Sequence, residues 1–295
     1  VNHDRILLTG ATGFLGSSLL KALVDSGYEV AIIHRSKSNF IRLNSHKGLF
    51  KCYNIDQISI KDCLYDFKPD IIVHCATDYG RKKSDPSEII DANLILPLKL
   101  LELCRSVGVK AFVNTDTFLD KGINYYTLSK KQYKEWLETF ASDLVCVNVL
   151  LEHFYGAGDD QTKFVSYVIN MLLNNVDRID LTPGLQMRDF IYIKDVVKAF
   201  LLIISKVASL ENGLYEFGIG TNHQIAIKDL VNKIKEITGN CDTNLAFGAL
   251  PYRKNEVMKS VIDTSNIRAL GWTTKYTLDE GLNETIDIEK RNFIK

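Results

Sequence analysis

Arg5-Ile6-Leu7-Leu8-Thr9-Gly10-Ala11-Thr12-Gly13-Phe14-Leu15-Gly16-Ser17-Ser18-Leu19-Leu20 decides the reading of this 295-residue chain. A short apolar run ends at Gly10 and reads as a buried strand. An amphipathic pattern then opens near Gly13 and reads as a helix. The join is Gly-x-x-Gly-x-x-Gly, and each glycine has its own reason. Gly10 lets the chain turn tightly. Gly13 lets backbone approach a diphosphate without a Cβ in the way. Gly16 lets the helix pack close to the strand. A diphosphate there would meet backbone N–H groups and the positive end of the helix dipole. Thr12, Phe14 and Leu15 share the turn and join the glycines as candidate cofactor contacts. Taken alone, the triplet is more readily a plain glycine turn.

Outward from that turn, strands and helices alternate, which argues for a parallel sheet covered on both faces. The patterns predict strands at Ile6 to Leu8, Glu29 to His34, Lys51 to Asn54, Ile71 to Cys75, Lys110 to Asn114 and Leu144 to Leu150. Helices are predicted at Ser17 to Ser26 with Gly27 as its stop, Ile60 to Phe67, Asp85 to Val107 before Gly108, and Tyr126 to Ala141. The second half predicts helices at Phe164 to Leu173, Val196 to Val207 and Ile227 to Thr238, with strands at Arg178 to Leu181, Gly213 to Gly218 and Leu245 to Gly248. The fold class expected is therefore α/β: a doubly wound parallel sheet with a smaller C-terminal α/β domain. Residues 1–150, with a return segment near 187–210, would form the first domain, and 151–295 a split second one.

The totals narrow the class. Lys plus Arg and Asp plus Glu both number 36, so formal net charge is zero and nothing suggests nucleic acid or an anionic membrane surface. No apolar run reaches membrane length, and Val1-Asn2-His3-Asp4 is too short and polar for a signal peptide. Cys52, Cys63, Cys75, Cys104, Cys146 and Cys241 are scattered, without zinc spacing. They read as reduced thiols of a cytoplasmic protein, several buried in strands, and no metal site is expected.

Strand ends carry the next candidates. An acidic residue after the second strand would hold a ribose 2′-hydroxyl. Here His34-Arg35-Ser36-Lys37 offers no carboxylate, which favours a 2′-phosphate gripped by Arg35, and hence NADP over NAD. Asn54 and Ile55 would flank the adenine. Ala76 and Thr77, after the fourth strand, are small enough to let cofactor pass.

Tyr126-Thr127-Leu128-Ser129-Lys130 places Tyr and Lys four apart, on one helix face. A nearby ammonium, with a cationic nicotinamide, would lower the phenol pKa, so that it exchanges a proton with a carbonyl or alcohol near neutral pH. Tyr79 and Lys83 have the same spacing in what reads as a loop, so spacing alone proves little. Position favours Tyr126, because Asn114-Thr115-Asp116-Thr117 follows the preceding strand and brings a hydroxyl near.

Gly10-x-x-Gly13-x-x-Gly16, the Thr117 hydroxyl and Tyr126-x-x-x-Lys130 together resemble the extended short-chain dehydrogenases/reductases, with their Rossmann sheet. Arg188-Asp189-Phe190-Ile191-Tyr192-Ile193-Lys194-Asp195-Val196 is similar to a specific stretch of that family. So are Arg253-Lys254-Asn255-Glu256-Val257, Asp263-Thr264-Ser265 and Leu270-Gly271-Trp272. The resemblance implies that Thr117, Tyr126 and Lys130 are catalytic, with Lys130 also holding the cofactor. It implies that Arg188 and Arg253 grip a sugar-nucleotide diphosphate, that Lys163 and Phe164 lie over the substrate, and that Asn93 supports the site. It also implies a homodimer through the long helices around Asn93 to Leu103 and Tyr133 to Phe140.

Three departures refine this. Thr117 and Tyr126 are only nine residues apart, which implies an entrance that is more open or built by other loops. Leu150-Leu151-Glu152-His153-Phe154-Tyr155-Gly156 puts His153 where the family has an asparagine on substrate phosphate, and Leu150 where it has arginine. Phe118-Leu119 follows Thr117 where 4,6-dehydratases carry acidic residues, and neither can move a proton. The 151–156 stretch, with 114–117 and 163–164, looks most like the CDP-abequose and CDP-paratose synthase type. This implies NADPH-dependent reduction of the C4 keto group of a CDP- or dTDP-linked 4-keto-6-deoxy or 3,6-dideoxy hexose, in O-antigen deoxysugar synthesis. A 4-epimerase with tightly bound NAD uses the same residues and stays open. So does a non-enzymatic cofactor-sensing regulator or scaffold.

Overall fold

A computed structural model describes residues 4–81, 84–254 and 256–293. Val1, Asn2, His3, Lys83 and Asn255, all used above, lie outside the described residues. In chain order the elements are β1 (Arg5–Thr9), α1 (Phe14–Asp25), β2 (Glu29–His34), a 3-10 turn (Ile41–His46), β3 (Lys51–Asn54), α2 (Ile60–Phe67) and β4 (Ile71–His74). Next come α3 (Pro86–Ile90), a π turn (Asp91–Ile95), α4 (Leu96–Val107), β5 (Ala111–Thr117), α5 (Tyr125–Phe140), β6 (Val145–Leu151) and β7 (His153–Tyr155). Then follow α6 (Phe164–Leu173), β8 (Arg178–Leu181), β9 (Met187–Tyr192), α7 (Ile193–Val207), β10 (Gly213–Ile219) and β11 (Gln224–Ala226). The chain ends with α8 (Ile227–Thr238), β12 (Asn244–Phe247), α9 (Ser265–Ala269) and α10 (Leu278–Phe293).

The chain divides into two units. One comprises Val1–Leu151, Val197–Gly218 and Ser265–Trp272, and the other Glu152–Val196, Ile219–Thr264 and Thr273–Lys295. The return to the first unit thus begins at Val197, not near 187. The reason is that β9 pairs with β7 and β11 and so stays with the second unit.

The first unit carries a seven-stranded sheet in the order β10-β6-β5-β4-β1-β2-β3. The pairs from β6 through β3 are parallel. Ile6, Leu7 and Leu8 are fully buried although successive side chains point to opposite faces, so both faces of β1 are covered. Each such side chain contributes about 1.5–3 kcal/mol of burial. In α1, Leu15, Leu19, Leu20 and Leu23 form the buried stripe. Ser59 caps α2 by accepting from the Asp62 N–H, and Gly108 ends α4 at a φ of 81°.

Four expectations shift. The first helix starts at Phe14, directly after the glycine turn, not at Ser17. The segment 85–107 is broken by the π turn. β5 runs through Thr117, because it pairs with β6 over seven positions from Ala111↔Val145 to Thr117↔Leu151, so residues 114–117 lie inside the strand. All six cysteines are free, yet of the fully buried ones only Cys146 lies on a strand, since Cys63 and Cys104 face the core from helices.

The second unit holds a three-stranded sheet β11-β9-β7, with β9 antiparallel to β11 and parallel to β7, and a parallel pair β12-β8. No helix among the described residues is long and apolar enough to cross a membrane.

Candidate active site

Gly10 has φ +71°, and a Cβ on it would lie 2.5 Å from the Ala76 nitrogen. A Cβ on Gly16 would lie 2.1 Å from the Gly10 carbonyl oxygen, so only glycine lets α1 approach β1 this closely. A Cβ on Gly13 would meet only the Gly10 oxygen, at 3.2 Å, so its absence serves the open side of the turn. Gly13 is also the N-cap of α1 and offers no side-chain cap, which leaves the first turn suited to an anion. Leu15 packs inward and Phe14 is half-buried, while Thr12 accepts a hydrogen bond from Arg42 through its carbonyl at 3.4 Å.

The turn abuts the end of β4. The Ala76 N–H donates to the Thr9 hydroxyl oxygen at 3.2 Å, and that hydroxyl lies 2.8 Å from His74 Nδ1. His74 is fully buried, and its imidazole is held well below the usual range by burial and by the Lys130 charge. Thr77 follows, half-buried.

Tyr126 and Lys130 stand one turn apart on α5, whose start is fixed by Asn124 and Thr127 capping one another. Tyr126 is half-buried, and the Thr117 side chain is close enough to act on its phenol. The Lys130 Nζ is 1% exposed at residue level and has no hydrogen-bond partner. The lowering of the phenol pKa was expected of the ammonium together with a cationic nicotinamide, and the chain by itself holds the phenol the other way. Burial pushes the Tyr126 phenol well up, Tyr79 and Asp116 add to this, and Thr117 and Arg81 oppose it. Burial pulls Lys130 down to about 8, so it is a weaker electrostatic support than a solvated ammonium.

Three residues support this site: Asn93, which the resemblance implied, and Tyr79 and Asp116, whose supporting contacts were not legible in the sequence. Asn93, fully buried in the π turn, donates to the Asp78 carbonyl at 2.8 Å and to the Ser129 hydroxyl at 3.0 Å, and accepts from the Asp78 N–H. It thereby ties the loop after β4 to α5 between Tyr126 and Lys130. Tyr79, which shared the misleading Tyr–Lys spacing, packs its ring 5.0 Å from that of Tyr126, and the Arg81 guanidinium lies over the Tyr79 ring at 5.0 Å. Asp116 is buried in β5 and pairs with Lys131 at 3.1 Å, while Asn148 donates to it at 3.0 Å and to Glu216 at 3.2 Å. Such contacts join strands far apart in sequence, and no local pattern announces them.

At the other end of the sheet, Arg35 is exposed at the end of β2. Asn54 donates to the Ser36 hydroxyl at 3.0 Å, and the Ile55 N–H to the His34 carbonyl at 3.0 Å. Residues 34–37 themselves carry no carboxylate, but one reaches them from the next turn. Asp56, from the turn after β3, accepts from the Ser36 N–H at 2.7 Å and feels the Arg35 and Lys37 charges. Arg42 is a further cation beside the glycine turn.

The second unit gathers the remaining candidates. Arg188 on β9 pairs with Glu256 at 2.6 Å and donates to the Met187 carbonyl at 2.8 Å. Burial pulls its guanidinium down, Glu256 and Glu152 oppose this, and the Arg253 charge adds to it. Arg253 itself is exposed. The two guanidiniums therefore do feel each other, but Arg188 already has a carboxylate partner, which the sequence did not reveal. Lys163 pairs with Asp159 at 3.1 Å and lies 4.2 Å over the Phe154 ring; Phe164 opens α6 beside it. His153 Nδ1 lies 3.1 Å from the buried Glu152 carboxylate. Among the described residues no group of three or more His, Cys, Asp or Glu could hold a metal ion.

Residues 6–218 match the NAD dependent epimerase/dehydratase family. The chain belongs to that family. Within it, the chain is 34% identical to the CDP-abequose synthase of Salmonella muenchen, over 98% of this chain and 99% of that protein. It is 30% identical to the CDP-abequose synthase of Yersinia pseudotuberculosis, over 86% of this chain and 90% of that protein. The UDP-glucose 4-epimerase of Thermotoga maritima, solved with UDP-glucose, superposes with a TM-score of 0.85 at 26% identity, over 98% of this chain and 99% of that one. As an epimerase/dehydratase family member, the protein is an enzyme of the oxidoreductase type that uses a nicotinamide cofactor. This removes the regulator or scaffold alternative. The residues present fit such a group: a glycine turn whose side at Gly13 is open, and a buried Lys130 amine whose hydrogen bonds are unmade.

Proposed function

We propose that this enzyme is an NADPH-dependent reductase of the C4 keto group of a CDP- or dTDP-linked 4-keto-6-deoxy or 3,6-dideoxy hexose, acting in cytoplasmic O-antigen deoxysugar synthesis. The observation that carries the chemistry is the buried Lys130 amine without a hydrogen-bond partner, one turn of α5 from Tyr126. Similarity to the CDP-abequose synthases supports the substrate class.

When bound, reduced nicotinamide supplies a hydride to the carbonyl carbon. The carbonyl oxygen then gains charge and needs a proton. Tyr126 donates that proton, and Thr117 donates a hydrogen bond to the same oxygen. Lys130 gives its N–H groups to cofactor hydroxyls and, while protonated, stabilises the phenolate left on Tyr126. Gly10, Thr12, Gly13, Phe14, Leu15 and Gly16 bind the cofactor diphosphate, Ala76 and Thr77 line its path, and Asn54 and Ile55 flank its adenine. Arg35 holds the 2′-phosphate, the basis for preferring NADPH. Arg188 and Arg253 take the substrate diphosphate, with Glu256 yielding part of the Arg188 fork. His153, Lys163 and Phe164 complete the substrate contacts. Phe118 and Leu119 supply no acid or base, so the site performs reduction without dehydration.

The test is Tyr126→Phe, assayed with NADPH and a panel of CDP- and dTDP-linked 4-keto sugars. Turnover is expected to fall about 10²- to 10⁴-fold with NADPH binding unchanged; near-full turnover overturns the assignment. A 4-epimerase with tightly bound NAD is the second reading, favoured by the likeness to the Thermotoga maritima enzyme. It predicts cofactor retained through purification and no need of added reductant. A homodimer through α4 and α5, where Trp136 is 44% exposed, is proposed as well, and sedimentation checks it.

A further inference from the structure

Asp116 directly precedes Thr117 in β5, and its carboxylate side chain is 0% exposed. Both of its oxygens are engaged. Oδ1 accepts from the Thr117 N–H at 2.6 Å. Oδ2 accepts from Lys131 Nζ at 3.1 Å and from Asn148 Nδ2 at 3.0 Å. The same Lys131 Nζ also donates to the Thr117 carbonyl. One ion pair therefore grips the Thr117 backbone at both ends, the carboxylate on its N–H and the ammonium on its carbonyl. The ring closes through the Asp116–Lys131 contact itself.

The Thr117 side chain is turned by its own segment. The Leu119 N–H donates to Thr117 Oγ1 at 3.3 Å. A hydroxyl that accepts on its oxygen keeps its single hydrogen for a different acceptor.

Stability alone does not account for the pair. Taking two charges out of water costs about as much as their attraction returns, and apolar replacement of a whole buried pair is commonly neutral or stabilising. Further along α5 stands a solvated counterpart. Lys134 meets Glu216 at 2.9 Å, with side chains 27% and 36% exposed. Asn148 joins the two pairs. Its amide nitrogen donates to Asp116 and, at 3.2 Å, to Glu216, while its oxygen accepts from Asn114 at 2.8 Å. Side chains from β5, β6, β10 and α5 thus converge on the residue next to Thr117.

We infer that Asp116 and Lys131 are positioning residues that clamp the Thr117 peptide at both ends and so aim the Thr117 hydroxyl at the carbonyl oxygen of the substrate. This rests on the reading of Thr117 as a donor to that oxygen and adds what holds it there. Aim matters because a displacement of about 1 Å can slow a reaction about 10²-fold. Lys131 follows Lys130 directly, so one turn of α5 serves two tasks: Lys130 waits for cofactor hydroxyls, and Lys131 fastens the helix to the end of β5. The Asp116 charge also favours the proton-bearing forms of Tyr126 and Lys130, while Lys131 opposes it at Lys130. A protonated phenol is the form that gives up a proton in reduction.

The experiment replaces the pair as a whole in the full chain. Asp116→Leu/Lys131→Met exchanges two charges for apolar side chains of similar shape, so NADPH binding should persist and the thermal midpoint should hold or rise. Turnover of a 4-keto sugar nucleotide should still fall about 10- to 100-fold, with KM changed by less than about twofold. Wild-type turnover in that variant overturns the inference. A cycle with Thr117→Ala separates the clamp from general loosening. If the pair acts through Thr117, adding its replacement to Thr117→Ala should lower turnover by less than about twofold more, and losses that multiply overturn the inference. Should the double variant not fold, Lys131→Met alone enters the same cycle, since Asp116 then keeps its Thr117 and Asn148 donors. The Thr117 amide, picked out by ¹⁵N-threonine labelling and by its loss in Thr117→Ser, reports on the clamp without turnover. Its exchange with D₂O should speed up about tenfold or more in the double variant, and unchanged exchange overturns the clamp. If the wild type binds NADPH but reduces none of the 4-keto sugars, the reductase reading fails and takes the aim at the substrate oxygen with it, whereas amide exchange still decides the clamp.

Discussion

Lys130 in the first unit and Arg188 in the second are both largely buried cations in the sites described, and the protein treats them oppositely. Lys130 has no hydrogen-bond partner, while Arg188 has a carboxylate and a carbonyl. Burial lowers the pKa of each. The bare amine comes down to about 8, within reach of physiological pH. The guanidinium keeps its charge because Glu256 supports it and because guanidinium is so strongly basic. The contrast separates two ways of preparing for a ligand. An unmade set of hydrogen bonds waits for hydroxyls, and a made ion pair waits to be shared with an anion.

Replacing each cation with methionine sharpens that contrast most. Lys130→Met is expected to cut turnover about 10²- to 10⁴-fold in the NADPH-coupled assay. The same variant should raise the thermal midpoint by a few degrees, since about 1 kcal/mol is recovered when an unpaired buried amine is replaced by an apolar isostere. Arg188→Met should do the reverse to stability and lower it by about 1–3 kcal/mol, because Glu256 is left buried without its partner. A Lys130→Met protein less stable than wild type would break the comparison.

A pH profile distinguishes the two cations further. Lys130 is charged below about 8 and neutral above it. Support for the Tyr126 phenolate should therefore be lost as pH rises through that value, and substrate-saturated turnover should fall there. Lys130→Arg keeps its charge, so its residual activity should not show that break. The smallest effect concerns the adenosine end. Asp56→Asn removes a carboxylate near Arg35 and should raise the NADPH-to-NADH preference about two- to fivefold, because exposed charges act weakly in water. Steady-state ratios with the two cofactors check it.

What could be read from sequence follows the range of the forces involved. Glu29–His34, Ile60–Phe67, Phe164–Leu173 and Ile227–Thr238 were legible to the residue, since burial period and local caps define them. β7, β9 and β11 were not. They exist because they pair with each other, which no local pattern announces. The glycine turn was legible because its constraint is a Cβ that cannot fit. Glu256 on Arg188, Asp56 on Ser36 and Tyr79 on Tyr126 were hidden, because each contact is made through space by a residue whose neighbours in sequence say nothing about it.

The π turn at Asp91–Ile95 has a consequence for how this chain can change in length. It amounts to one extra residue wound into an otherwise continuous helix. Deleting a single residue there would restore ordinary winding and swing the preceding turn by about 100° relative to α4. Asn93 would rotate away from Ser129 and Asp78, which it now joins. This helix should therefore accept many changes of letter and refuse the loss of one, so that a deletion scan across 91–95 would silence the enzyme while leaving the sheet intact.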